Sequence, residues 1–84
     1  MEKVWADEAW DDYVYWQSQD RKTLKKINTL IKDIERNGTQ GIGKAEPLKY
    51  RSGWSQRIDK ENRLIFDIVD GKLMIASCRG HYED

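Results

Sequence analysis

The 84 residues predict an α+β domain in which two helices precede an antiparallel sheet and pack on one of its faces. Three patterns carry that reading. Apolar residues recur at helical spacing in the first half, and from Pro47 onward they alternate with period two. Asp70-Gly71, between two such alternating runs, is a hairpin signal.

Residues 3–5 read as a short opening strand. Asp7 is the expected N-cap of the first helix, with Glu8 in its first turn, where the helix dipole favours a negative charge. Trp10, Tyr13 and Val14 fall at i, i+3 and i+4, so they form its expected buried face, widened by Tyr15 and Trp16. Asp11 and Asp12 lie largely off that face. The second helix is capped by Asp20, and Leu24, Ile27, Ile31 and Ile34 line it with Leu30 beside them. Asn37-Gly38 stops it, because both residues tolerate left-handed backbone. The two helices form an antiparallel hairpin with a shared apolar seam.

Gly38, Gly41 and Gly43 mark a crossing loop. No GK[ST] ending follows, so it is not a phosphate-cradling loop. In the sheet region Trp54, Gln56 and Ile58 share one face, as do Leu64, Phe66 and Ile68 on the next strand. Leu73, Ile75 and Ser77 do the same on the last.

Composition excludes several classes of function. No apolar stretch approaches the roughly 18–20 residues that cross a bilayer, and no signal-like run follows the N-terminus, so no membrane role and a cytoplasmic location are expected. Cys78 is the only cysteine and His81 the only histidine; a zinc site of three or four Cys/His ligands cannot be assembled, and no metal or cofactor is expected. A buried apolar role suits Cys78. The net charge of zero conceals an acidic first segment (residues 1–20) and two basic ones (21–36 and 44–63). That arrangement permits a phosphate-binding face, and equally an ordinary solvated surface.

His81 carries the one side chain whose ordinary pKa lies near neutrality. Glu46 ends the crossing loop, Arg63 opens the long strand, and Arg57 and Lys49 precede it on neighbouring strands. Alternate strand ends of a meander share an edge, so these groups can converge there. Glu and His suit proton transfer, arginine suits a phosphate, and Tyr82 or Trp54 suits a stacked base. The residues alone also allow a surface histidine, a loop acid, and arginines paired with Asp59 or Glu61.

Six stretches resemble the YoeB/Txe family of toxins within the RelE superfamily. They are W-x-x-E-A-W-D-D-Y-x-Y-W (Trp5 to Trp16), K-K-I-N-x-L-I-K-D (Lys25 to Asp33), G-x-G-K-x-E-P-L-K (Gly41 to Lys49), G-W-S-x-R-I (Gly53 to Ile58), R-L-I-F (Arg63 to Phe66) and C-R-x-H-Y (Cys78 to Tyr82). The resemblance implies one RelE/YoeB-like domain over residues 1–84. It implies a ribosome-dependent endoribonuclease that cuts mRNA in the A site of the 70S ribosome and is neutralised by a YefM-type antitoxin. Self-association as a homodimer is left open. In such a toxin Glu46 acts as base, His81 as acid and Arg63 as phosphate stabiliser, while Lys49, Arg57 and Tyr82 bind substrate. Three departures accompany the match. Tyr50 stands where histidine is common, Gln56 where a basic residue often contacts RNA, and Glu83-Asp84 extend past the tyrosine. A ParE-like gyrase inhibitor on the same fold and a non-catalytic antitoxin- or RNA-binding protein are the alternatives.

Overall fold

The computed structural model describes residues 1–80. Strand β1 (Glu2–Trp5) leads into helices α1 (Asp7–Gln19) and α2 (Arg21–Asn37), and a 3-10 turn (Gly38–Gln40) follows. The sheet is completed by β2 (Glu46–Pro47), β3 (Trp54–Arg57), β4 (Arg63–Val69) and β5 (Lys72–Ser77). Strand order is β1-β5-β4-β3-β2. The last four strands pair antiparallel with one another, as alternation and the Asp70-Gly71 turn lead one to expect. The sheet as a whole is mixed, because β1 pairs parallel with β5, Glu2 opposite Lys72 through Trp5 opposite Ile75. A parallel pair needs a long crossover connection, and here that connection contains both helices and the rest of the sheet.

The core lies between the helices and one sheet face. Ile27, Leu30, Ile31 and Ile34 of α2 and Ala9 and Trp16 of α1 meet Leu64, Phe66, Leu73 and Ile75. The second helix follows its sequence pattern. Its cap is Asp20, whose Oδ1 accepts from the Lys22 and Thr23 amides at 3.0 and 3.3 Å, and it ends at Asn37 before Gly38.

The first helix departs from its pattern in two ways. Asp7 is already helical; Ala6 occupies the cap position, where its methyl group can give no side-chain bond, and its amide continues the ladder to the Ile75 carbonyl at 2.9 Å. The inward line is also rotated. Ala9 and Trp16, seven residues apart, are buried, whereas Trp10 is 50% and Val14 45% exposed. The small Ala9 lets the helix backbone approach Cys78, whose Sγ lies 3.8 Å from the Ala9 carbonyl. Trp10 instead leans on Trp5, ring centroids 5.9 Å apart.

A bulge between Ile65 and Phe66 resets the end of β5. Phe66 faces Ile75 but Ile65 faces Ser77, so Ser77 falls out of phase with Leu73 and Ile75 and Cys78 joins the core in its place. Cys78 is then held on three sides. Its carbonyl accepts from the Trp16 indole at 2.9 Å, its amide donates to Asp12 Oδ2 at 3.0 Å, and its thiol is buried. Burial, with the Asp12 charge adding to it, pushes that thiol up to about 12. Asp12 therefore faces inward, where the sequence placed it off the packed face.

The crossing loop is pinned at two glycines. Asp33 Oδ2 accepts from the Ile42 amide at 2.9 Å, and a Cβ on Gly41 would lie 1.8 Å from that oxygen. A Cβ on Gly43 would lie 1.9 Å from Gln56 Nε2. Among the described residues no helix is long and apolar enough to cross a membrane.

Gly43→Ala should destabilise the fold by about 1–3 kcal/mol in urea unfolding, because the fully buried Gln56 cannot swing aside; adding Gln56→Ala should recover part of the loss. For Asp20, the hydrogen bonds from Thr23 and then Lys22 hold its carboxyl below the ordinary 3.8. Its contribution is present above the unfolded value and is lost as pH falls through the folded one. Asp20→Ala should therefore lower the melting temperature at pH 7 by a few degrees and much less below pH 3, as thermal scans at both pH values would reveal; an equal drop at both would contradict this role.

Candidate active site

On the helix-free face of the sheet, three neighbouring strands bring polar side chains together. Glu46 opens β2 and stands opposite Ser55 of β3, and Arg57 of β3 stands opposite Arg63 of β4. Alternation makes this inevitable once Trp54, Gln56 and Ile58 turn toward the core. Pro47 keeps Glu46 extended and needs no ladder donor at this edge.

Arg63 is the centre of the cluster. Its Nη2 lies 3.5 Å from Glu46 Oε1, and its Nε donates to Ser55 Oγ in a short hydrogen bond. Its side chain is 19% exposed, against 75% for Glu46. The ion pair is long and open to water, so it stabilises little and leaves both groups available to a ligand. Two guanidinium groups directly across a strand pair repel each other. Glu46 offsets one of them, and among the described residues no ion pair holds Arg57. An anion between the two arginines would relieve that repulsion, and a phosphate matches their planar forks.

Of the residues expected at the site, Glu46, Arg57 and Arg63 are thus brought together. Arg63 pairs with Glu46 across the sheet and not with the nearby Glu61. Lys49 is exposed in the β2–β3 loop, on the far side of Glu46 from Arg57, because Pro47 is already opposite Trp54. His81 and Tyr82, with Glu83 and Asp84, lie outside the described residues. The last described residue, Gly80, adjoins the site: its carbonyl accepts from the Arg63 amide at 3.0 Å.

One expectation about the departures changes. Gln56 is 0% exposed and faces Leu64 in the core, so it cannot touch RNA at all; its amide atoms find no protein partner among the described residues. Tyr50 is strongly exposed in the β2–β3 loop. Ser55 and Asn62 went unnoticed in the sequence. Ser55 was legible as the residue in phase with Arg57, whereas nothing in the sequence marks Asn62. Among the described residues no group of three or more His, Cys, Asp or Glu side chains gathers as metal ligands.

The chain matches the YoeB-like toxins of bacterial type II toxin-antitoxin systems over residues 5–82. Toxin YoeB of Escherichia coli (strain K12) is 52% identical over 84 residues, spanning 98% of this chain and 100% of the relative. The toxin in a YoeB–YefM complex from Staphylococcus aureus superposes with a TM-score of 0.90 at 42% identity, covering 98% of each chain. A YoeB dimer from Staphylococcus aureus gives a TM-score of 0.90 at 44% identity, again over 98% of each chain. Fold and sequence together define a toxin of type II toxin–antitoxin systems. Within that class the chain belongs to the YoeB-like family.

The Ser55 bond yields a test within that class. Ser55→Ala should free Arg63 and weaken toxicity on induction in antitoxin-free cells, as if the underlying activity fell about 10–100-fold, the worth of a hydrogen bond to a charged group. Ser55→Thr keeps the hydroxyl and should stay toxic. Full toxicity of a folded Ser55→Ala protein would remove Ser55 from the site.

Proposed function

We propose that this toxin is a ribosome-dependent endoribonuclease that cuts mRNA in the A site by acid–base chemistry and so inhibits translation. The observation that carries the reading is Arg63, held by Ser55, 3.5 Å from Glu46 and directly across the strand pair from Arg57.

Each role follows from the chemistry of the group. Glu46 is an exposed carboxylate beside Arg63, so it takes the proton of a 2′-hydroxyl. The 2′-oxygen attacks the adjacent phosphorus, and the bond to the 5′-oxygen of the next nucleotide breaks. His81 protonates that departing oxygen. Arg63 and Arg57 stabilise the charge that builds on the phosphoryl oxygens. The products are a 2′,3′-cyclic phosphate upstream and a 5′-hydroxyl downstream. Lys49 and Tyr82 bind the flanking RNA, Tyr82 by stacking a base. One phosphorus–oxygen bond is exchanged for another, two protons are moved and no electrons are transferred, so the proposed reaction calls for neither metal nor cofactor, and chelation of zinc-class ions should leave the rate unchanged.

The partners follow from the same reading. The exposed basic residues of α2, Arg21, Lys22, Lys25, Lys26, Lys32 and Arg36, suit the phosphates of the 70S ribosome and its mRNA. Among the described residues none of them is engaged in an ion pair with a neighbour. A ribosome substrate puts the protein in the cytoplasm. The Staphylococcus aureus complexes support a YefM-type antitoxin for this chain as well. The exposed Trp10 and Val14, one turn apart on α1, offer an apolar surface for a homodimer of the kind solved for a relative.

A message with a single 2′-deoxy sugar just upstream of the cut should load onto ribosomes yet resist cleavage. His81→Gln should slow the chemical step by roughly 10²-fold or more, and Arg63→Ala comparably. Glu46→Gln should also slow it, though less if water accepts the proton. Cleavage of the deoxy message at the normal rate would rule out the chemistry, and gyrase inhibition without RNA cleavage would transfer the protein to the ParE-like reading.

A further inference from the structure

Among the described residues, 78–80 follow β5 outside any strand, yet their path past the site is defined by hydrogen bonds from both sides. Asn62 supplies the decisive one. The β3–β4 turn closes with the Ile58 and Asp59 amides donating to the Asn62 carbonyl at 3.0 and 3.2 Å. Asp59 Oδ1 in turn accepts from the amides of Glu61 and Asn62 at 2.8 and 2.7 Å. The Asn62 side-chain nitrogen donates to both Asp59 carboxylate oxygens, each at 3.1 Å. A carboxylate only accepts, so the orientation of the carboxamide is settled and Oδ1 must point the other way. There it accepts from the Gly80 amide at 2.7 Å. The carbonyl of Gly80 accepts from the Arg63 amide. Both polar backbone groups of Gly80 are therefore taken by two consecutive residues, one of which carries the phosphate-binding guanidinium.

We infer that Asn62 is a positioning residue for cleavage, which fixes Gly80, the residue before His81, against the strand end that presents Arg63. This inference rests on the acid role proposed for His81. Asn62 itself touches no reacting atom. It works with the bracket two residues earlier, where Asp12 and Trp16 hold Cys78 and the Arg79 guanidinium lies 3.6 Å from the centre of the Tyr15 ring. Without the Asn62 acceptor, Gly80 keeps only the bond through its carbonyl and can pivot about it. A displacement of about 1 Å at a reacting group can cost on the order of 10²-fold in rate.

A double-mutant cycle with His81 separates positioning from simple turn stability. Single-turnover cleavage of ribosome-bound message would be measured for Asn62→Ala, His81→Gln and the pair, with thermal melts for each. Asn62→Ala should lower the cleavage rate constant about tenfold or more, with the half-saturating ribosome concentration unchanged. In the His81→Gln background the same change should cost no more than about twofold, since the group it positions is gone. The exchange Asp59→Asn with Asn62→Asp returns an acceptor to the Gly80 amide and a donor across the turn, and should restore most of the rate. Losses that multiply across the cycle would overturn the inference while leaving the acid role intact. A wild-type rate for His81→Gln would overturn both. If Asn62→Ala does not fold, the exchange decides alone: a folded exchange protein more than about tenfold slower than wild type overturns the inference.

Discussion

The buried hydrogen bond from the Trp16 indole to the Cys78 carbonyl fixes the chain that runs from β5 toward the start of β4 against the helices. It joins the last turn of α1 to the residue at which the chain leaves β5. A polar pair of this kind costs little when made and a great deal when one member is left alone, so the two elements move as one. The Asp12 carboxylate on the Cys78 amide adds a second bond at the same residue. Between them they hold the bulge that turns Cys78 inward and release the following residues toward the start of β4. Cys78 has no chemical role in this arrangement. Its thiol, raised to about 12 by burial, stays protonated and unreactive at physiological pH.

A division of labour between the sheet faces follows. One face is apolar and is covered by the helices, which secures the register of every strand. Once register is secure, the opposite face must present Glu46, Ser55, Arg57 and Arg63 as neighbours. The fold tolerates two facing arginines because core burial on the other side outweighs their repulsion. A phosphate bound between them, as proposed, would relieve that repulsion, so local instability and anion affinity would have one cause.

The crossing loop shows how a glycine-rich segment can be rigid. Asp33 of α2 takes the Ile42 amide, and Gly41 and Gly43 let the backbone lie directly against Asp33 and Gln56. The glycines serve close approach and bring Glu46 to the sheet edge in a defined place. Gln56 is the filler beneath that loop, which explains its burial in a position the sequence suggested was open to RNA.

The sequence by itself determined the α+β class, the extent and cap of α2 and the Asp70-Gly71 hairpin, and it allowed the convergence that the structure shows for Glu46, Arg57 and Arg63. Each rests on local periodicity or on strand alternation, which a single segment expresses fully. It misplaced the buried face of α1, because Trp10 and Val14 are as apolar as a core demands, and only the closeness of Ala9 to Cys78 shows which side faces in. The parallel seat of β1, the bulge at Ile65 and Phe66, and the bonds of Asp12 and Asn62 were likewise settled by tertiary structure. Each of these depends on contacts between residues far apart in the chain, 66 positions in the case of Asp12 and Cys78, and periodicity within a segment carries no information about such partners.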